Sequence, residues 1–480
     1  MLITDKTVTK IYKINPMLEK LNAQLKNSIT YRDFKALFQF RKNVENFDTP
    51  TGLTFSDNSF IRYLAFAALY FAQGIPGGLL HFAIPAWMAT VDYSAMDVGK
   101  YLAIVTLPWS FKLIAAPIMD RFTFLPMGRR RPWLIAGQFG IVMGLILMST
   151  IQDPSNNLTM LMSFGFVINL FTIFQDIATD GLAIDVLPEH QQARANGLMW
   201  GSKTVGVAAI VSVTIVLIKA VGFGSTLLLF SVLVFIIMII PILVKERSVE
   251  RRLPWTKGGI AEEVLNLQLP SWKLIFQKLV KVVFMPVSIM MGFAAFSFSI
   301  IAGILMAALP VFAVQELEWS DNQFPQILGS AKLIAGVLGM FIGGALIDII
   351  GKIKMVSWLI VSMIALFVAF YFLSDSWQND DIIYTFIISY HILDVFITIV
   401  IFAIAMQLCS KQVAATQFTL YMTVSNLGMS LGSYLFGHME QVLQWKYIFL
   451  LNVIFLAIMF VFIRYIDFDK HKKKLDLKTI

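Results

Sequence analysis

Charge is scarce in this chain. Of 480 residues only 14% are Asp, Glu, Lys or Arg, where an ordinary soluble domain carries about 25%. Cysteine is nearly missing too: Cys409 stands alone, which rules out an internal disulfide. Histidine is limited to five scattered residues. No HExxH, paired-cysteine or GxxxxGK[ST] spacing occurs, so metal-hydrolase and nucleotide-driven chemistry lose their usual sequence support. No catalytic residue, metal ligand or cofactor is expected, and an ATP-driven pump would need its motor on another chain. An early apolar run is also missing. The first one begins near Ile61, after a stretch too long and too charged for a secretory n-region, so no cleavable signal is expected.

What fills the space is apolar. Hydrophobic residues make up 58% of the chain and mean hydropathy is +0.74. That surplus must face lipid. At roughly 20 apolar residues per span, the chain reads as an all-α membrane protein with twelve transmembrane helices. They fall at about 61–90, 96–119, 132–151, 158–187, 194–219, 224–244, 281–313, 324–350, 354–374, 381–409, 416–440 and 446–466.

The formal net charge of +8 raises nucleic acid as a partner, but the placement of the charges argues otherwise. Alternate loops hold Arg121 and Arg129–Arg131, then Arg194, then a run from Lys245 to Lys281, then Lys352 and Lys354, then Lys411. The other set holds only Lys100, Lys219 and Lys446. The positive-inside rule places the first set in the cytoplasm, together with both termini. The basic excess is membrane topology, and a multi-pass membrane protein is expected.

The expected organisation is a basic leader over 1–58, six spans over 59–244, a linker over 245–280, six spans over 281–466 and a basic tail over 467–480. The leader pieces LEKLNAQL and FKALFQF read either as amphipathic helices on the inner leaflet or as a disordered tail. The tetrapeptide KLIA occurs at 112–115 and again at 332–335, at matching positions of the second and eighth spans. Each copy leads toward an acid, Asp120 and Asp348. A parallel repeat of two six-helix halves follows, which is the major-facilitator layout.

Several intramembrane charges carry candidate chemistry. Lys112 lies eight residues before Asp120, roughly 12 Å along a helix, and a lysine that deep faces a cavity or a partner anion. Lys203 and Lys332 are similarly deep. These three are the candidate substrate-binding residues, with an internal salt bridge as the alternative. Asp176 and Asp180 sit four apart, hence on one helix face. Two close carboxylates resist double ionisation, which suits a proton-coupling site; a gate role fits them equally. Asp394, with His391 three residues before it, is the third proton-coupling candidate.

The stretch DRFTFLPMGRRR resembles the major-facilitator loop signature, which implies a candidate gate on the cytoplasmic side formed by Asp120, Arg121, Arg129, Arg130 and Arg131, with positive-inside anchoring as the alternative for the arginines and Asp185 as a further gating or capping residue. Gly140–Gly144, Gly197–Gly201, Gly339–Gly343 and Gly428–Gly432 have GxxxG spacing, which permits close helix approach. Those in the fifth, eighth and eleventh spans suit surfaces that slide. Pro76, Pro85, Pro108 and Pro117 would weaken the first two helices locally.

Five stretches, YFAQGIPGGLLHFAIPAWM (70–88), LPWSFKLIAAPIMDRFTFLPMGRRRPWL (107–134), FQDIATDGLAIDVLP (174–188), AKLIAGVLGMFIGG (331–344) and CSKQVAATQFTLYMTVSNLG (409–428), together resemble the AmpG-type permeases of the major facilitator superfamily. Lys112, Asp120, Arg121, Asp176, Asp180, Asp185 and Lys332 align with charges of that pattern. The resemblance implies proton-coupled import of anhydromuropeptides from cell-wall recycling across a bacterial inner (cytoplasmic) membrane, by a monomer whose partners are a small solute, protons and membrane lipid and not nucleic acid. Siderophore or acyl-CoA-like anion transport, found in the wider group, is the first alternative. A non-transporting membrane sensor or scaffold is the second. The basic leader, Lys203 in place of an arginine and Met429 in place of a basic residue depart from the pattern.

Overall fold

The computed structural model describes residues 53–471 apart from 92, 94, 268–270 and 320–322. The two amphipathic leader pieces lie outside the described residues, as does most of the basic tail. Twelve long helices run α1 (Ser59–Met88), α2 (Lys100–Arg121), α3 (Arg131–Ser149), α4 (Leu158–Val186), α5 (Gln192–Val221), α6 (Phe223–Leu243), α7 (Pro286–Gln315), α8 (Gln326–Ile350), α9 (Lys352–Phe372), α10 (Asp380–Leu408), α11 (Ala414–Val442) and α12 (Trp445–Arg464). Eleven of them are long and apolar enough to cross a membrane. The exception is α11, whose 29 residues include Thr416, Gln417, Thr419, Thr423, Asn426 and Ser430. A helix that polar spans a bilayer only with its polar side turned to protein or water, and Thr416, Gln417 and Thr419 are buried.

Helix ends follow local chemistry. The Asn58 and Asn157 side chains accept the Ile61 and Met160 N–H groups at the starts of α1 and α4, at 3.1 and 3.3 Å. Gly222 (φ +86°) and Gly351 (φ +88°) turn α5 into α6 and α8 into α9 in a backbone region open mainly to glycine. The seventh span starts at Pro286 rather than near 281. Met285, preceding a proline, is held extended (φ −68°, ψ 139°), so residues Trp272–Val283 form a separate helix ahead of it.

Prolines also shape α1 and α2. A π-helical turn at Leu79–Ala83 lies between Pro76 and Pro85, and a 3-10 turn at Leu107–Phe111 contains Pro108. Proline removes a backbone donor and crowds the preceding turn, so the register shifts there.

α1 packs along α5 and α7 along α11 within the halves, while α5 meets α8 and α10, and α11 meets α2 and α4, across the halves. The glycines sort the same way. A Cβ on Gly201 would fall 2.6 Å from the Gly336 carbonyl, and one on Gly344 would fall 2.3 Å from the Arg194 Cα. The α5–α8 seam is therefore a close glycine contact between halves. Gly428 and Gly432 face Phe296 and Ile300 of α7 instead, so that pair tightens the C-terminal half internally.

The linker is folded, not extended. Leu53–Ser56 pair by backbone with Lys245 and Glu246, Glu250 bridges to Gly259, and Leu125, Ala261 and Val264 form a small core.

Candidate functional site

Midway along its helices the N-terminal half gathers charged side chains from α2, α4 and α5 and neutral polar ones from α1. The 3-10 turn ends at Lys112, where α2 resumes as α-helix, and the Lys112 ammonium pairs with Asp176 of α4. From α1, the Gln73 amide donates to Asp176 and the Tyr70 hydroxyl to Asp180. Lys112, Asp176 and Asp180 are 2, 0 and 1% exposed. Their spacing of four along α4 does put both acids on the α1–α2 side, as the sequence implies.

Lys203 of α5 completes the cluster differently. It is partly exposed and forms no ion pair among the described residues; its Nζ sits 4.9 Å from the Trp200 ring centre and 5.8 Å from that of Trp109. These are cation–π distances. The cluster touches the other half at two places. Met422 Sδ of α11 lies 3.0 Å from Lys112 Nζ, and Trp200 stacks on Phe402 of α10 at 4.8 Å between centroids.

The C-terminal half holds a sparser group. Lys332 of α8 and Asp394 of α10 are partly exposed and interact electrostatically, with no ion pair within 4.0 Å between them. Lys332 Nζ faces the Phe82 ring of α1 at 5.7 Å, across the halves. His391 is 9% exposed beside Tyr390, ring centres 5.0 Å apart. Of the three expected substrate lysines, Lys112 is thus neutralised by Asp176, while Lys203 and Lys332 carry no ion pair.

Below, on the face that also bears the linker, a network seals the halves together. Arg130 bridges Asp120 (2.6 Å) and Asp185 (3.0 Å), and Arg129 reaches the same two acids at 3.2 and 3.4 Å. Arg129 also donates to the Lys411 and Gln412 carbonyls. The second Asp120 oxygen accepts both the N–H and the hydroxyl of Thr416 at the start of α11, at 2.9 and 2.7 Å. A carboxylate at a helix N-terminus is favoured by the free N–H groups there.

The second half repeats the arrangement at lower strength. Asp348, the counterpart of Asp120 in the KLIA echo, pairs with Arg194 near the start of α5 at 3.1 Å. Lys352 donates to Gln407 at 2.7 Å and to Gln192 at 3.4 Å. Each half therefore clips the first turn of an opposing interface helix.

Arg131 lies behind the latch, donating to the Met127, Arg251 and Arg252 carbonyls. Arg121 is not drawn in: among the described residues it has no ion pair, and its guanidinium lies 5.4 Å over the Phe122 ring. The largest omission from the sequence reading is Glu246. Its carboxylate is 0% exposed and accepts the backbone N–H groups of Arg129, Arg130 and Arg131 at 3.0, 2.7 and 2.6 Å. Gly128 (φ +100°) makes room for it, since a Cβ there would strike Glu246. An acid set between two basic residues, Lys245 and Arg247, is the only signal the sequence offers for it. Beside it, burial and the Glu246 charge push the Glu250 carboxyl up to about 8. Among the described residues no group of three His, Cys, Asp or Glu side chains could hold a metal.

Residues 63–433 match the Major Facilitator Superfamily. A putative transporter AmpG 3 of Rickettsia prowazekii is 24% identical over 427 residues, covering 84% of this chain and 96% of that protein. The anhydromuropeptide permease of Escherichia coli K12 is 32% identical over 124 residues, 26% of this chain, so the match spans only 25% of that relative's length. Among solved structures, the transporter FucP in the outward conformation superposes with a TM-score of 0.64 at 14% identity, over 85% of this chain and 98% of that one. A bacterial homologue of the iron transporter ferroportin in an outward-facing state gives 0.58 at 12% identity, over 87% of this chain and 100% of that one.

Proposed function

The chain belongs to the Major Facilitator Superfamily, and from that premise we propose that it is a proton-coupled secondary transporter of an anionic solute, with cell-wall anhydromuropeptides as the cargo. The observation that carries this reading is the buried Lys112–Asp176–Asp180 cluster at the seam between halves. Ionisable groups at that depth are costly and hold helices no better than apolar contacts would. A translocation role gives them a purpose.

Asp180 is the proton carrier in this scheme. One of its oxygens takes the Tyr70 hydroxyl while the other is buried with no hydrogen-bond partner, and Asp176 beside it already balances Lys112. Solute enters from the side opposite the latch. Lys203 and Lys332, from opposite halves and without ion pairs, take its carboxylates, and Trp109, Trp200 and Phe82 supply apolar faces beside them. Asp394 tunes Lys332. Rocking then breaks the Asp120–Thr416 and Arg194–Asp348 contacts and opens the linker face, which the basic-residue asymmetry assigns to the cytoplasm.

Uptake of radiolabelled anhydromuropeptide into proteoliposomes, with and without an inward proton gradient, tests the reading. Gradient-driven accumulation is expected. Equal uptake in empty and protein-bearing vesicles overturns the cargo, and competition by siderophores or acyl-CoA then identifies the anion class.

A further inference from the structure

One cationic, aromatic surface belongs to neither the charge cluster nor the latch. The helix Trp272–Val283 is capped by Ser271, which accepts the Leu274 N–H at 3.3 Å. Ile275 and Val282 are buried, and the helix rests on the ends of α2, α7 and α11. Its other side is apolar and open. Trp272, Phe276, Val280 and Phe284 recur every four residues and are 39, 51, 53 and 70% exposed.

The stretch contains no acid, while Lys273, Lys278 and Lys281 lie along it. The end of α2 extends the same surface. The Phe122 ring, itself 53% exposed, meets Trp272 edge-on at 5.9 Å, and the Arg121 guanidinium lies over Phe122 with its Nε buried and lacking a hydrogen-bond partner. An exposed apolar stripe flanked only by cations, fixed at the ends of membrane helices, has the character of an interfacial segment. Its charge complements a phosphate-bearing headgroup, and its stripe complements acyl chains.

We propose that this face is a binding site for an anionic phospholipid in the leaflet on the linker side. Arg121 and the helix lysines hold the headgroup phosphate, and the acyl chains cover the stripe from Trp272 to Phe284. Arg121 thereby gains the partner that the latch does not give it. A soluble protein partner would have to displace the headgroup layer to reach the stripe, so lipid is the occupant.

The test is native mass spectrometry of the full chain released from detergent with added phosphatidylglycerol or phosphatidylcholine. It needs no transport assay and stands apart from the cargo reading. Phosphatidylglycerol should be retained at about tenfold lower concentration than phosphatidylcholine, since each basic residue near a headgroup adds a sizeable attraction. Arg121→Gln with Lys273→Gln should erase that preference. Lys273→Gln alone, at an exposed site where folding is not at risk, should weaken it severalfold. Equal retention of the two lipids by the parent protein, or an undiminished preference in both variants, would falsify the proposal.

Discussion

The two halves share an architecture but treat their charges in opposite ways. In the N-terminal half the most deeply buried charges are answered from within, Lys112 by Asp176 and, at the sealed face, Arg129 and Arg130 by Asp120 and Asp185, while Lys203 rests on the Trp109 and Trp200 rings. In the C-terminal half Lys332 and Asp394 remain partly exposed and unpaired, and the Arg194–Asp348 clip has an arginine side chain 53% exposed. The C-terminal half instead packs a cluster of rings, with Phe370 stacked on Phe386 at 3.8 Å and Phe449 meeting both edge-on. Removing one member of a buried pair leaves the other uncompensated, whereas removing a partly exposed group with no ion pair does not.

The contrast predicts unequal damage. Lys112→Ala leaves Asp176 buried without its counter-ion and should destabilise by about 3–5 kcal/mol, read as a lowered unfolding temperature in detergent. Adding Asp176→Asn should restore much of that loss. Lys332→Ala, at a partly exposed site with no ion pair, should leave stability nearly unchanged while raising the KM for uptake. Equal destabilisation by the two lysine changes would dissolve the distinction between halves.

Glu246→Ala comes next. It removes a charged acceptor from three backbone N–H groups, and the second half has no counterpart among the described residues, so a loss of about 2–3 kcal/mol is expected. Faster amide exchange confined to residues 125–135 would locate the effect at the start of α3.

Smaller effects sharpen the comparison of the two clips. Thr416→Val removes only the hydroxyl contact to Asp120, at a cost of about 1 kcal/mol. Arg194→Ala should cost less than about 1 kcal/mol, because an exposed ion pair is screened. Labelling of a cysteine introduced on the sealed face should rise more in the first variant than in the second; the reverse order would mean that the Arg194–Asp348 clip, not the Asp120 network, holds the face shut.

The linker adds a pH dependence on the side of the N-terminal half. With its folded pKa raised to about 8 by burial and then by Glu246, Glu250 favours the docked linker when protonated. That contribution is complete below the usual glutamate range and fades as pH rises through about 8. Proteolysis within residues 245–267 should therefore be faster at pH 9 than at pH 6, and Glu250→Gln should flatten the difference.

Much of this was legible before any coordinates. Long apolar runs and breaks such as QDPSNN and SDSWQNDD set the helices to within a few residues, because lipid leaves the backbone few alternatives. The residues DRFTFLPMGRRR marked a concentration of charge at the end of the second span, and the echo from Lys112 to Lys332 pointed to two related halves. The pairing was harder to see. Arg129 and Arg130 grip Asp120 and Asp185, while adjacent Arg121 turns away to Phe122; three neighbouring loop arginines look alike until the backbone aims them. Nor does spacing alone show that Gly197–Gly201 faces the other half and Gly428–Gly432 does not.

The sequence by itself determined where the chain crosses the membrane and which charges lie at depth, since hydropathy and charge are local properties summed over about 20 residues. Only the tertiary structure decided which charge answers which. Lys112 meets Asp176 and Asp120 meets Thr416 across 64 and 296 positions of chain. Such encounters depend on how each helix is rotated and tilted against its neighbours, and that is fixed by packing over the whole bundle, not by any local stretch of residues.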